Sequence, residues 1–204
     1  MLKKYNRTTI ALGVGFLFMF LLKLFRVTEQ FDIEMGLELL IKDKWLFDFT
    51  RIYTMLCNPP VAVAIVAVIA ILFFAFKKWS QGVLISVSTG LGAALNHFIK
   101  VIFEFERPSF RLIEESGFTF PSGHSNAAAA ICVSLFIIVQ NSNMTERQKR
   151  VSTFFLSLIA LSIALSRVML GVHFLTDIAA GLMLGSFVSM IVYNLMRVNN
   201  LYKM

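Results

Sequence analysis

Residues Phe118–Val139 read FTFPSGHSNAAAAICVSLFIIV. The second half of this stretch is apolar enough for a bilayer interior, yet it opens on Pro121, Ser122, Gly123 and His124, followed by Ser125 and Asn126. One reading of that polar start is a capped helix N-terminus, where proline suits the first turn because its missing N–H is no loss. The other is an anion site. First-turn N–H groups have no intrahelical partner and lie at the positive end of the helix dipole, and glycine lets a ligand come close to the backbone. Taken alone, the tetrapeptide fits both.

The rest of the chain resembles that second half. Of its 204 residues 57% are hydrophobic and 15% charged, with 21 Phe. A soluble domain carries about 25% charged residues, and a compact soluble fold of this length has too little interior for so many apolar side chains. The composition is that of an integral membrane protein. A net charge of +7 raises nucleic acid as a partner, but Lys and Arg gather at the ends of apolar runs, which is an orientation signal. No nucleic acid is expected. Cys57 and Cys132 have neither metal-ligand spacing nor a disulfide framework. With no repeat and no Pro- or Gly/Ser-rich linker, residues 1–204 are expected to form a single domain.

A spanning helix needs about 20 mostly apolar residues. Six stretches approach this: Thr8–Leu24, Pro60–Phe76, Gly82–Phe103, Asn126–Val139 with its flanks, Val151–Leu170 and Asp177–Met196. The first follows Lys3, Lys4 and Arg7 like a secretory signal, but Lys23, Leu24, Phe25 and Arg26 come next instead of a cleavage site, so it is expected to stay. Lys77 and Lys78, then Arg147, Lys149 and Arg150, and finally Arg197 and Lys203 mark the cytoplasmic side together with the N-terminal cations. Both termini are then cytoplasmic, and the segments 26–59, 104–121 and the turn at Gly171 face outward. Within the first of these, Phe31, Ile33, Leu37, Leu40 and Ile41 recur in a nearly helical rhythm, which suits either an amphipathic interfacial helix or a plain stalk. The expected fold is all-α, a six-transmembrane-helix bundle with an amphipathic interfacial helix between helices 1 and 2.

Ionisable residues beside membrane helices are costly and point to function. Three groups fall on the outward side. Lys100 precedes Arg107-Pro108; alone, Lys100 reads as a snorkelling side chain. Pro121–His124 is the second group. The third is Ser166, Arg167, His173 and Asp177, where a four-residue spacing puts His173 and Asp177 on one face if the last helix has begun by His173. A carboxylate there would fix the imidazole tautomer and leave the other nitrogen as nucleophile or base; the plainer reading is a helix start with Asp177 as cap. Cations with helix-start amides bind a phosphate, and imidazoles with a carboxylate run nucleophilic or acid–base chemistry.

Lys100-x6-Arg107-Pro108, Pro121-Ser122-Gly123-His124 and Ser166-Arg167-x5-His173-x3-Asp177 resemble the three signature motifs of the type 2 phosphatidic acid phosphatase superfamily, with no departure at any signature position. The resemblance implies a bacterial plasma-membrane lipid phosphatase with its active site on the extracytoplasmic side. It implies that His173 attacks phosphorus to form a phosphohistidine, that Asp177 orients it, and that His124 protonates the leaving oxygen and then activates water. Lys100, Arg107, Ser122, Gly123 and Arg167 would hold the phosphoryl oxygens. It further implies a lipid phosphate as substrate, phosphatidylglycerophosphate or undecaprenyl pyrophosphate first and phosphatidic acid after them. No cofactor and no metal are expected, since the sequence has no carboxylate cluster for magnesium and no His/Cys set for zinc.

His97 and Asn96 lie one turn before Lys100 and read as helix-contact groups with a lesser claim on the site; Glu104 and Glu106 read as solvated loop acids that could position Arg107. Rival functions are a phosphotransferase using the same site, a phosphate-lipid transporter, and a haloperoxidase of the related vanadium-dependent type. A transporter would need polar groups at mid-membrane rather than at helix ends, and the haloperoxidases are larger and soluble. The sequence carries no signal for an oligomeric state.

Overall fold

The computed structural model describes residues 2–202, and the side chains of residues 6–202. Lys203 and the side chains of Lys3 and Lys4, used above for orientation, lie outside the described residues. Among the described residues the chain forms α1 (Leu2–Leu24), α2 (Glu29–Glu38), α3 (Lys44–Thr54), a 3-10 turn (Met55–Cys57), α4 (Pro59–Ala75), α5 (Trp79–Phe103), α6 (Gly123–Gln140), α7 (Glu146–Met169) and α8 (Leu175–Val198), with no strand. Each expected apolar stretch falls on one of these helices to within a residue at its end. Five are long and apolar enough to cross a membrane; a sixth is reached if α3 and α4, bent by 55° at their junction, count together. The chain is thus a multi-pass, all-helical membrane protein. Its large exposed side chains, such as Val14, Phe18, Val68, Ile71, Phe98, Phe154 and Leu158, are hydrocarbon, whereas the bulkiest fully buried one is Arg167.

Local chemistry sets the helix ends. Thr145 and Gln148 form a reciprocal capping box that starts α7. Ser122 caps α6 by accepting the Ser125 N–H. Glu104 closes α5 in the left-handed conformation, φ 48°. Asn58 precedes Pro59 and is driven to extended backbone, which breaks the chain between the 3-10 turn and α4.

The segment after α1 differs from the single amphipathic helix expected there. It is two helices, α2 and α3, because Asp43 caps a new start by accepting the Leu46 N–H and Ile41 N–H leaves the helix to bond Met169 O at 3.0 Å. Phe31 and Leu37 are exposed on α2, while Asp32 on its other side is buried, its carboxylate accepting Thr176 N–H at 3.1 Å and Thr176 Oγ1–H at 2.6 Å.

α8 occupies the centre and packs on α1, α5, α6 and α7. Its seam with α6 brings the two helix backbones into close contact. A Cβ on Gly181 would sit 2.5 Å from Ser122 O, and one on Gly185 would collide with Asn126 O. Small residues let helix backbones meet where hydrocarbon supplies no hydrophobic drive. The half of the seam away from the α6 start is filled by Leu84, Ile137, Leu184, Val188 and Tyr193. The close approach fixes the start of α6 against the start of α8, and the functional groups stand there.

Candidate active site

His173 lies in the turn between α7 and α8, not within α8 as the four-residue spacing alone would have it; the helix begins at Leu175. Asp177 still reaches it from the first turn, with Oδ2 3.5 Å from His173 Nδ1. The same oxygen accepts Phe174 N–H at 2.8 Å, so the carboxylate is helix cap and histidine partner together. Thr119 stands between them, donating to Asp177 Oδ2 at 2.5 Å and lying 3.1 Å from His173 Nδ1.

This chain of contacts fixes the tautomer. Thr119 spends its one hydroxyl proton on the carboxylate, so its oxygen can only accept from His173, which places the ring proton on Nδ1. At the other edge Arg107 Nη1 is 3.3 Å from Nε2, and a guanidinium can only donate. Both sides leave Nε2 with a lone pair. Burial pulls the ring's pKa well below its usual range, to about 3, against the opposing influence of Asp177. The ring is therefore neutral at physiological pH.

The other expected residues gather around Nε2 in two shells. Lys100, Arg107, Gly123, His124 and His173 line a cavity of about 740 Å³ between α4, α5 and α6. Arg107 Nε and Nη2 donate to Gly117 O and Ser116 O at 2.9 and 3.0 Å, and Nη1 to Val172 O at 2.9 Å. Lys100 Nζ donates to Phe118 O and, at 3.1 Å, to Thr119 O. Both cations thus hold the 104–122 loop as well as facing the cavity. His124, on the first turn of α6, donates from Nε2 to Asn58 Oδ1 at 2.8 Å.

Ser122, Arg167 and Asp177 stand behind the cavity wall. Ser122 is fully buried, with its hydroxyl engaged by Ser125. Its own N–H donates to Asp177 O at 3.0 Å, joining the two helix starts. Arg167 is 1% exposed, pairs with Glu115, and donates from Nη1 to Thr54 Oγ1 at 3.2 Å; its Nε has no protein partner. A buried guanidinium is tolerated only when paired.

Of the lesser candidates, Asn96 is buried and donates to Pro121 O at 3.2 Å, steadying the α6 start, and His97 lines the cavity. Glu104 and Glu106 are exposed at the other face of the loop. Sequence reasoning passed over Lys23, Thr54, Asn58, Glu115 and Thr119. The only signal for them was chemical: a buried Asp, Arg and His each need partners, and no motif supplies all of these.

Residues 81–201 match the PAP2 superfamily. The phosphatidylglycerophosphatase B of Bacillus subtilis (strain 168) is 34% identical over 148 residues, 72% of this chain and 73% of its own. The crystal structure of a transmembrane PAP2-type phosphatidylglycerolphosphate phosphatase from Bacillus subtilis superposes with a TM-score of 0.84 at 28% identity, over 94% of this chain and 96% of that one. Aquifex aeolicus LpxE shares the fold, with a TM-score of 0.64 at 22% identity, covering 80% and 94% respectively.

Proposed function

The chain belongs to the PAP2 superfamily and is a lipid phosphatase, and from that premise we propose that it hydrolyses the terminal phosphate of a membrane lipid through a phosphohistidine on His173. The observation that carries this reading is the tautomer. With Nδ1–H turned to Thr119 and Asp177, the Nε2 lone pair faces Arg107 and the cavity.

In the proposed reaction Nε2 attacks phosphorus as the bond to the lipid oxygen breaks. Protonated His124 gives its Nε2 proton to that oxygen and becomes neutral. It then takes a proton from water, whose oxygen attacks phosphorus and breaks the P–N bond, releasing phosphate. Lys100, Arg107 and the Gly123 N–H hold the phosphoryl oxygens as charge moves in the transition state. Arg167 and Ser122 support them from behind, Arg167 with its free Nε. Asp177 stabilises the imidazolium character of the phosphorylated ring. No step uses a metal.

The cavity's far end supports a lipid substrate. It is lined by Val63, Val66 and Ala67 of α4, Gly90 and Ala93 of α5, and Ile131 of α6, a slot suited to acyl or prenyl chain beneath the polar groups. Phosphatidylglycerophosphate and undecaprenyl pyrophosphate are the substrates we propose first.

We read α1, α4, α5, α6, α7 and α8 as six spans, with α2 and α3 in the outer interface, where Phe31, Leu37, Trp45, Phe49 and Ile52 are exposed. Lys77, Lys78, Arg147, Lys149 and Arg150 then lie on the cytoplasmic side with both termini, and the site faces outward. Contributions to the site from Lys23, Thr54 and Asn58 support one catalytic domain.

Phosphate release from both lipids, measured side by side in liposomes with EDTA, tests the proposal. Turnover persists in EDTA and is abolished by His173→Ala and by His124→Ala; loss on chelation or full activity of either variant refutes it.

A further inference from the structure

Lys23 lies on α1, outside the residues that match the family, and belongs to none of the three motifs. Yet its Nζ stands 3.1 Å from Asp177 Oδ1, and its side chain is 13% exposed against 0% for the aspartate. The ammonium also sits 4.1 Å from the centroid of the Phe174 ring, beside the nucleophile. The two oxygens of Asp177 therefore have separate partners. Oδ1 is in an ion pair with Lys23 and takes no hydrogen bond, while Oδ2 takes Thr119 Oγ1–H, Phe174 N–H and the approach of His173 Nδ1.

A carboxylate sealed from water and given only neutral donors tends to take a proton instead of staying charged. The other charged groups around Asp177 have their own engagements. Lys100 on α5 and Arg107 in the 104–122 loop are bound to loop carbonyls, and Arg167 on α7 is bound to Glu115. His124 on α6 is bound to Asn58, and Asp32 on α2 to Thr176. Arg26 and Glu29, with Glu104 and Glu106 from the 104–122 loop, line the outer pocket that Lys23 shares. Among the described residues, Lys23 is the one Lys or Arg in an ion pair with Asp177.

We propose that Lys23 is a positioning residue for the nucleophile: it holds Asp177 ionised with Oδ2 turned to Thr119 and His173, and so maintains the Nδ1–H, Nε2-lone-pair form of the ring. The inference rests on the proposed role of His173. Lys23 also moderates the pull of the carboxylate on the imidazole, keeping the ring neutral until phosphorus is attacked. Removing the ammonium has two consequences of one sign. Either Asp177 takes a proton, or the unopposed carboxylate makes the ring take one. Each raises the pH below which the enzyme is inactive.

The test measures kcat and KM against pH for wild type, Lys23→Met, Lys23→Arg and His173→Ala, with phosphatidylglycerophosphate in detergent micelles. Lys23→Met is expected to lose roughly tenfold or more in kcat at neutral pH with little change in KM. Its acid limb is expected to move upward by roughly 1–3 pH units, the usual effect of one charge at this range, and Lys23→Arg restores most of both. Wild-type kcat and profile in Lys23→Met overturn the proposal. So does equal loss in the Met and Arg variants with the acid limb unmoved, which marks Lys23 as a plain tie between α1 and α8. Activity in His173→Ala would instead overturn the phosphohistidine reading, so the two failures are distinguishable.

Discussion

Gly181→Ala separates the geometry of the site from the stability of the bundle. The added methyl would lie 2.5 Å from Ser122 O, 2.9 Å from Ser125 Cβ and 3.2 Å from Asn126 N. Two of these atoms are backbone and cannot rotate away. Restoring an ordinary separation of roughly 3.5 Å lifts the start of α6 from α8 by about an ångström. Overpacking of this kind costs about 1–3 kcal/mol, and replacing a helical glycine by alanine returns about 1 kcal/mol. The net loss of stability is then about 0–2 kcal/mol. Activity is more sensitive. The same displacement stretches the Ser122 N–H to Asp177 O bond and moves Gly123 and His124 relative to His173. A misplacement near an ångström costs on the order of 100-fold in rate. Phosphate release and thermal unfolding in detergent, measured on one preparation, give both quantities. A Gly181→Ala enzyme with wild-type kcat would refute the claim that the α6–α8 seam sets the catalytic geometry.

Two further outcomes follow from the cavity and from His173. A Cβ at Gly90 meets nothing within 4 Å and would project into the apolar slot; Gly90→Leu is expected to raise KM about tenfold for a long-chain lipid phosphate while leaving a short-chain soluble analogue unaffected, and equal effects on both would argue against chain binding there. The unfolded chain binds a proton at His173 near pH 6.5, the folded chain only near 3, so between those values the unfolded state holds more protons and stability falls as pH drops. Unfolding temperature scanned from about pH 7.5 to 4.5 should therefore decline more steeply for wild type than for His173→Asn, and identical slopes would contradict a buried neutral ring.

The helices were legible because hydropathy and cationic flanks report directly on bilayer crossing, and the six apolar stretches all lie on helices. The 26–57 segment was not. Its apolar rhythm gave the right propensity, but the division into two helices and the burial of Asp32 did not show, since the bond of Asp32 to Thr176 joins residues 144 positions apart and leaves no local trace. The motif residues could be read because their types and spacing are unusual in a membrane chain. Their division of labour could not: Arg107 and Lys100 grip loop carbonyls, and Ser122 faces its own helix cap. Thr119 and Asn58 are ordinary loop and pre-proline residues in sequence; only folding sets one beside His173 and the other beside His124. Lys23 carried no signal beyond ending the first apolar run, and only folding turns it inward to Asp177.

The proposed mechanism requires His173 to carry the phosphoryl group. Wild type and His173→Ala are mixed with lipid radiolabelled in its terminal phosphate, quenched within the first turnover, and mapped by mass spectrometry. An acid-labile phosphoryl label is expected on His173, forming before phosphate is released and absent from the variant. Phosphate release with no labelled intermediate, or a label that persists in His173→Ala, would contradict it.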